Sequence, residues 1–474
     1  MAKFSRRSFL KNTAWAAAAA AVWPARSWAQ TAGANGDIRI AVIGLNGRGK
    51  SHIDAFPRIP GVRLVALCDV DTAILNRAAQ ALRDKGNPVQ TYGDARELLA
   101  RPDIDAVSIA TPHHWHALLT IWACQAGKDV YVEKPTCHNV WEGRQMINAA
   151  AKYNRVVAVG AQCRSSYSLA EAVAWVKAGN LGRITASRGL CYKPRPSIGL
   201  TVGPQPVPAT ANYDLWLGPA PMVPLRRKNL HYDWHWFWAT GNGDLGNQGI
   251  HQMDIARWFL GEPALAPRTL SVGARLGYVD DGETANTQVI VHDYERAPLI
   301  FEVRGLPTEA YRGAKIGVIV HCEGGTVVVP SYTTAQAFDR DGKQVKEWSG
   351  ATNHFANFTD VVRSRKLADL HCPLAEGHVS SSLCHTGNIS QRLGAATPPG
   401  ELRERIQGNA GLAEAYGRMA GHLDKDGVDL DKTPAALGAP LIMDPGAERF
   451  VGNDAANALL TRDYRAPFVV PAIA

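Results

Sequence analysis

The 474-residue sequence is short of several things. Its eight cysteines (68, 124, 137, 163, 191, 322, 372 and 384) form no C-x-x-C pair and are scattered through apolar segments. They read as buried thiols rather than as a disulfide framework. Charged residues are only 20% against 46% hydrophobic, which excludes a disordered, collagen-like or coiled-coil chain. No apolar run reaches the roughly 20 residues that span a bilayer, so no stable membrane anchor is expected. There is no internal repeat and no low-complexity tract beyond the N-terminus. Acidic residues are missing altogether from positions 1–29, which hold Lys3, Arg6, Arg7, Lys11 and Arg26. Those five account for most of the formal net charge of +8 and leave 46 basic against 43 acidic residues elsewhere. A polyanion-binding footprint is therefore absent, and no nucleic-acid partner is expected.

The basic segment has a form of its own. Ser5-Arg6-Arg7-Ser8-Phe9-Leu10-Lys11 is a twin-arginine signal, followed by a short Ala-rich run from Ala14 to Val22 and by small residues at Ser27 and Ala29. It predicts a removable export signal over residues 1–29, cleaved near Ala29-Gln30. The twin-arginine export machinery becomes an expected partner, and the expected location is periplasmic or otherwise extracytoplasmic. That route carries folded proteins, so any cofactor is loaded before export.

Residues 37–162 alternate short β-branched runs with helical stretches of 10–15 residues. Runs at 38–43, 62–68, 106–110, 129–132 and 156–159 read as buried strands of a parallel, doubly wound sheet. Beyond them, 183–193, 268–278, 287–293, 299–304, 316–321 and 325–329 read as strands without long intervening helices. These predict an open, mostly antiparallel sheet. The fold class is α/β: a Rossmann domain over 30–162, an α/β substrate and oligomerisation domain over 163–430, and a tail over 431–474 packing on both.

Gly44-Leu45-Asn46-Gly47-Arg48-Gly49-Lys50-Ser51 lies between a strand and a helix and fits two templates. It is a complete G-x-x-x-x-G-K-S phosphate loop, and also a dinucleotide fingerprint with Asn46 at the middle glycine. In both, small residues let backbone N–H groups approach phosphate at a helix N-terminus. Asn46 is admissible because asparagine tolerates a left-handed backbone. Asp69 ends the next strand, 20 residues after Gly49. It suits the ribose 2′-hydroxyl of NAD and would repel the 2′-phosphate of NADP. It would equally serve a triphosphatase as a magnesium ligand, so the loop alone leaves both readings open.

The order glycine loop, Asp69, Thr111-Pro112, Glu133-Lys134-Pro135 is distinctive. With Asp214-Leu215-Trp216-Leu217-Gly218-Pro219 and the stretch Gly241 to Asp254, it resembles the Gfo/Idh/MocA family of oxidoreductases, over essentially all of residues 37–474. The resemblance implies a nicotinamide cofactor, NAD, between two domains, and a dimer or tetramer. It implies that Lys134 bonds the hydroxyl to be oxidised and that His251 is a base or substrate-orienting group, with Asp254 orienting it from one helical turn away. The family's usual aspartate four residues before that histidine is Asn247 here, and an amide is no general base. The Thr111-Pro112-His113-His114-Trp115-His116 turn is expected to border the nicotinamide, His116 touching cofactor and His114 substrate. Glu133 and Gln162 are expected near the cofactor, and Arg164 near the substrate.

Further candidates come from composition. His231 to Trp238 crowds aromatic residues, and an extended strand would put Trp234, Trp236 and Trp238 on one face. Such a face suits stacking on a sugar or polyol; it also suits a hydrophobic plug at an interface. The three histidines at 113–116 lack a completing cysteine or carboxylate set, so no metal is expected. His378 and His385 acquire no sharp role.

Function follows in three forms. The first is an exported NAD(H)-dependent oxidoreductase on a sugar, polyol or glycoside, its cofactor tightly bound and recycled internally because no nicotinamide pool exists outside the cytoplasm. The second is an NAD-dependent glycoside hydrolase working by oxidation, elimination, addition and reduction. The third is a non-catalytic sugar-binding protein. The export reading gives a direct expectation: secreted protein should begin at Gln30 by intact-mass spectrometry, and replacing both Arg6 and Arg7 by lysine should hold the uncleaved chain in the cytoplasm. An exported chain of full-length mass would contradict it.

Overall fold

The structure, a computed structural model, describes residues 36–474. The export segment expected at 1–29 lies outside the described residues. The first layer alternates strand and helix: β1 (Ile38–Ile43), α1 (Arg48–Ala55), β2 (Val62–Cys68), α2 (Thr72–Asp84), β3 (Gln90–Tyr92), α3 (Ala95–Leu99), β4 (Ala106–Ile109), α4 (His116–Gln125), β5 (Asp129–Val132), α5 (Val140–Lys152) and β6 (Val157–Val159). All five adjacent pairs are parallel, in the order β3-β2-β1-β4-β5-β6. This is the strand order of a doubly wound dinucleotide fold, with its binding crevice beyond the carboxyl ends of β1 and β4. The apolar runs are buried on both faces, as a parallel sheet requires. Only β3 carries no apolar signal in the sequence; two of its three residues are exposed at the sheet edge.

The second layer begins with α6 (Tyr167–Lys177) and β7 (Ile184–Tyr192). The aromatic stretch that follows holds only short elements, α7 (Tyr213–Leu217), a 3₁₀ turn at Asp233–Trp236, and α8 (Gly243–Asn247), which runs into α9 (Gly249–Leu260). Then come β8 (Arg268–Ala274), β9 (Thr287–Asp293), β10 (Leu299–Arg304), β11 (Ile316–Cys322), β12 (Gly325–Val329), β13 (Thr334–Asp339) and β14 (Gln344–Ser349). These strands form the main path of a 12-stranded sheet, in which β7 and β10 pair in parallel and the other pairs are antiparallel. β13 and β14 are absent from the sequence expectation, because β14 is almost wholly exposed and reads as polar.

Helices α10 (His354–Ser364), α11 (Leu374–Arg392), α12 (Pro399–Ile406) and α13 (Ala410–Lys425) close the layer. Helix α9 packs Ile250, Met253 and Phe259 against Leu299, Phe301 and Val318 of the large sheet. On the opposite face, α13 places Leu412, Tyr416 and Met419 over Val289 and Val291. All eight cysteines are free thiols, seven of them buried.

The two layers are less separable than residues 30–162 and 163–430 imply. Phe355, Phe358 and Val361 of α10 share a core with Ile38, Phe56 and Tyr131 of the Rossmann layer. From the tail, Phe468, Val470 and Ile473 join a second Rossmann core with Leu118 and Val130. Far-off segments thus supply apolar cover that the first 160 residues lack.

The glycine loop is packed tightly enough to test. Gly44 has φ 84°, and a Cβ there would lie 2.7 Å from the Thr111 nitrogen. A Cβ on Gly49 would overlap the Gly44 carbonyl. Gly49→Ala should therefore cost about 1–3 kcal/mol, visible as a lowered Tm, with loss of nucleotide affinity. An unchanged Tm would contradict this packing.

Candidate active site

A cavity of about 660 Å³ opens where the loops after β1, β4 and β5 face the second layer. At one end lies the glycine loop, with Gly44, Asn46, Gly47 and Arg48 on the wall. The positive-φ residues of the loop are Gly44 (84°) and Gly47 (66°); Asn46 has no positive φ, so its tolerance of that conformation is not called upon. A Cβ on Gly47 would meet nothing within 4 Å, so the backbone there faces open space. Helix α1 starts at this point with no side-chain cap and no acidic residue in its first turn. Its free N–H groups and positive dipole end suit a pyrophosphate. Gly49 does not line the cavity; its part is the close approach to Gly44.

Asp69 lines the same end. Its carboxylate accepts from the backbone N–H of Leu45 (2.9 Å) and of Asp71 (3.0 Å). Burial pushes its carboxyl up, and those two N–H groups oppose the shift. Thr111 and Pro112 lie on the wall, and the buried Thr111 Oγ1 has no partner among the described residues. An open loop backbone, an uncapped helix, a strand-end acid and an orphaned hydroxyl fit a dinucleotide. The sheet order, with β1 beside β2 and β4, removes the triphosphatase alternative.

The middle is organised by Glu133, 4% exposed. Its carboxylate accepts from Arg48 Nε at 2.8 Å and lies 3.1 Å from His52 Nε2. Burial pushes the carboxyl up; the His52 hydrogen bond and charge, then Arg48, more than reverse this and hold it well below the usual range. His116 lies between the Pro135 carbonyl (2.7 Å) and the Thr111 carbonyl (2.9 Å), tying the β5 loop to the β4 loop. Between these fixed points the half-buried Lys134 Nζ donates to the Asn247 carbonyl at 2.9 Å and reaches its Oδ1 at 3.5 Å. Burial brings its pKa below the ordinary lysine value, Glu133 pulls it back up, and Arg48 and Lys193 push it down again. Lys134 and Asn247 both line the cavity.

Several expected site residues stand elsewhere. His251 is buried against Tyr332 (4.9 Å between ring centroids) and does not line this cavity. Its Nδ1 has no partner, and burial, then the charge of Lys134, pushes its pKa down to about 3. Asp254 does not orient it: that carboxylate is bound in a fork by Arg164 (2.8 and 2.8 Å) and accepts from Ser380 Oγ (2.7 Å). Arg164 is thus committed to an ion pair behind the wall and is not a substrate contact. Gln162 is likewise off the wall. His114 lies behind it, between the carbonyls of Trp216 (3.0 Å) and Thr240 (3.3 Å), and it is His113 that reaches the cavity.

The indole platform also differs. A 3₁₀ turn at Asp233–Trp236 replaces the extended strand, so the three tryptophans do not share a face. Trp234 lines the cavity, stacked on His235 at 3.7 Å and edge-on to His113 at 4.7 Å. Trp236 packs beside Arg195, and Trp238 under Arg392 at 4.9 Å. Unforeseen wall residues are Lys193, Arg195, Tyr232 and Gln248. Lys193 and Arg195 follow a strand without any local motif, and only the fold brings them opposite Lys134. His378 pairs with Glu448 (2.8 Å), and His385 lies 3.1 Å from the Cys137 carbonyl; both are structural here.

Known proteins resemble both layers. Residues 38–161 match the family model of the Gfo/Idh/MocA oxidoreductase family, NAD-binding Rossmann fold, and 181–414 match that family's C-terminal alpha/beta domain. A glycosyl hydrolase family 109 protein 2 of Shewanella sp. (strain ANA-3) is 34% identical over 171 residues, which span 32% of this chain and 38% of that protein. A glycosyl hydrolase family 109 protein of Saccharopolyspora erythraea is 32% identical over 157 residues, 32% of this chain and 34% of that one. The alignments thus span little more than a third of these relatives. Among solved structures, the WlbA dehydrogenase of Bordetella pertussis, in complex with NADH and UDP-GlcNAcA, superposes with a TM-score of 0.55 at 21% identity. It covers 73% of this chain and 93% of that one. An oxidoreductase domain protein of Kribbella flavida gives 0.57 at 18% identity, covering 74% and 96%.

Histidines wholly or partly withdrawn from water make the fold acid-sensitive. Burial, its main cause, pushes His114, His235 and His251 down to about 3, from 6.5. A depressed folded-state pKa means the unfolded chain takes up protons first. Their contribution is complete above pH 6.5 and is lost as pH falls toward 3. Urea midpoints measured from pH 7 to 4 should decline steadily, and less steeply in His235→Gln; a flat profile would contradict the assignment.

Proposed function

The chain belongs to the Gfo/Idh/MocA oxidoreductase family, and on that premise we propose that it is an NAD-dependent enzyme oxidising a carbinol of a sugar, polyol or glycoside. The supporting observation is Lys134, a half-buried amine in the cavity wall whose hydrogen-bond acceptors among the described residues are both on Asn247. Bound at the glycine loop, NAD supplies an acceptor for the hydride that leaves the carbinol carbon. Lys134 Nζ then receives the hydroxyl proton, a task suited to an amine held below its usual range. Asn247 aims the amine without neutralising it. Trp234 and His235 offer apolar ring surface to the sugar, and His113 and Tyr232 offer polar atoms. Asp69, free to accept from a ribose hydroxyl, favours NAD over NADP.

A second reading adds glycoside cleavage. The names of the Shewanella and Saccharopolyspora relatives favour it, and a carbonyl next to the bond to be broken would ease elimination. Water addition and re-reduction would return the cofactor unchanged. Such recycling suits a protein working outside the cytoplasm, the place for which the twin arginines at Arg6 and Arg7 argue. A homo-oligomer built on the large sheet belongs to the same proposal.

Lys134→Met tests the core of it. Turnover, followed near 340 nm or by reducing-sugar release, should fall by about 10²–10⁴, while bound nucleotide stays at wild-type occupancy. A variant with full turnover would overturn the role of Lys134. A wild-type protein that binds sugar and never changes it would leave the non-catalytic reading.

A further inference from the structure

We propose that the sugar taken by this cavity is anionic, and that Lys193 holds its carboxylate, sulfate or phosphate substituent. The inference rests on reading the cavity as a sugar-oxidising site. It comes from counting which charges on the wall are already answered. Arg195 is bound in a fork by Asp244, at 2.8 and 2.8 Å. Arg48 is answered by Glu133. Asp94, at the glycine-loop end, is taken by Arg96. His113 and His235 are pushed down by burial and are neutral at ordinary pH. Lys50, another wall amine with no ion pair among the described residues, stands at the glycine-loop end, and at the substrate end two amines remain, Lys134, which the reaction uses as its proton acceptor, and Lys193.

Among the described residues Lys193 has no carboxylate within ion-pair reach, and its Nζ donates only to the side-chain oxygen of Gln248, at 2.8 Å. The amide at position 247 puts no negative charge beside it. A half-buried ammonium bonded to a neutral amide retains most of its unmet charge, and partial burial makes an anion a better partner than water. Lys134 is committed to the reacting hydroxyl, which leaves Lys193 for a substituent elsewhere on the ring. Lys134 bonds Asn247 and Lys193 bonds the next residue, Gln248, on the wall of one cavity, so that substituent lies on the same sugar. An ammonium is a point charge and does not distinguish planar from tetrahedral anions. The shared chemistry is therefore the negative charge.

The test compares sugars differing only at one carbon, using protein with its nucleotide bound. Glucose, glucuronate, glucose 6-sulfate and glucose 6-phosphate, with the corresponding methyl glycosides, are titrated by calorimetry and by absorbance near 340 nm. At least one anionic member should bind roughly ten- to a hundredfold more tightly than its neutral partner. The best of the three identifies the source of the charge. Lys193→Gln should collapse that ratio toward one, and Lys193→Arg should keep most of it. A neutral sugar oxidised as well as its anionic partners, or an anionic preference unmoved in Lys193→Gln, overturns this proposal and leaves the oxidising role intact. Binding of anionic sugars with no spectral change and no product overturns the oxidising role instead. No binding by any member overturns both.

Discussion

The site depends on one buried carboxylate. Glu133 stands at the end of β5, almost wholly out of water, and is acceptable there only because Arg48 and His52 reach it from α1. Removing one partner from such a pair typically costs about 3–5 kcal/mol, because the remaining charge is stranded. The contact therefore fixes the glycine-loop helix against the neighbouring strand end. It also fixes the next residue, Lys134, whose backbone N–H donates to the Glu133 carboxylate at 3.2 Å. Cofactor loop and reactive amine are thus positioned by the same charge.

The second layer answers with the same logic. Asp254, on α9, is in the grip of Arg164 and Ser380, and Asp244 is forked by Arg195. These pairs are buried or nearly so and close to electrically silent. What they leave is a wall on which Lys134 and Lys193 stand out. Chemistry is assigned to the amine held by a backbone carbonyl, and recognition to the one held by an amide. Paired charges build the cavity, and unpaired ones give it a preference.

Much of this was legible in the sequence. The parallel layer could be read because its strands are short, β-branched and buried on both faces. The glycine loop, Asp69 and Glu133-Lys134-Pro135 could be located because each lies next to such a strand. What escaped was whatever depends on packing between distant segments. His52 is an unremarked helix residue until Glu133 is brought beside it. Lys193 and Arg195 have no motif. The tryptophans at 234, 236 and 238 alternate on paper, but a 3₁₀ turn rotates them onto different partners. Asp254 has the right spacing to serve His251, yet Arg164, 90 positions away, claims it. Spacing tells which residues can meet within one element; it does not tell which distant charge wins.

The central claim is that this fold carries NAD as a working part. The most direct measurement is mass spectrometry of the nucleotide released on denaturing the protein, purified without added cofactor. The account predicts NAD or NADH, with no 2′-phosphate, because Asp69, at the glycine-loop end of the cavity, would accept from a ribose hydroxyl and repel a phosphate. Finding NADP instead would contradict the role of Asp69. Finding no nucleotide, together with no calorimetric binding of NAD on addition, would contradict the account as a whole.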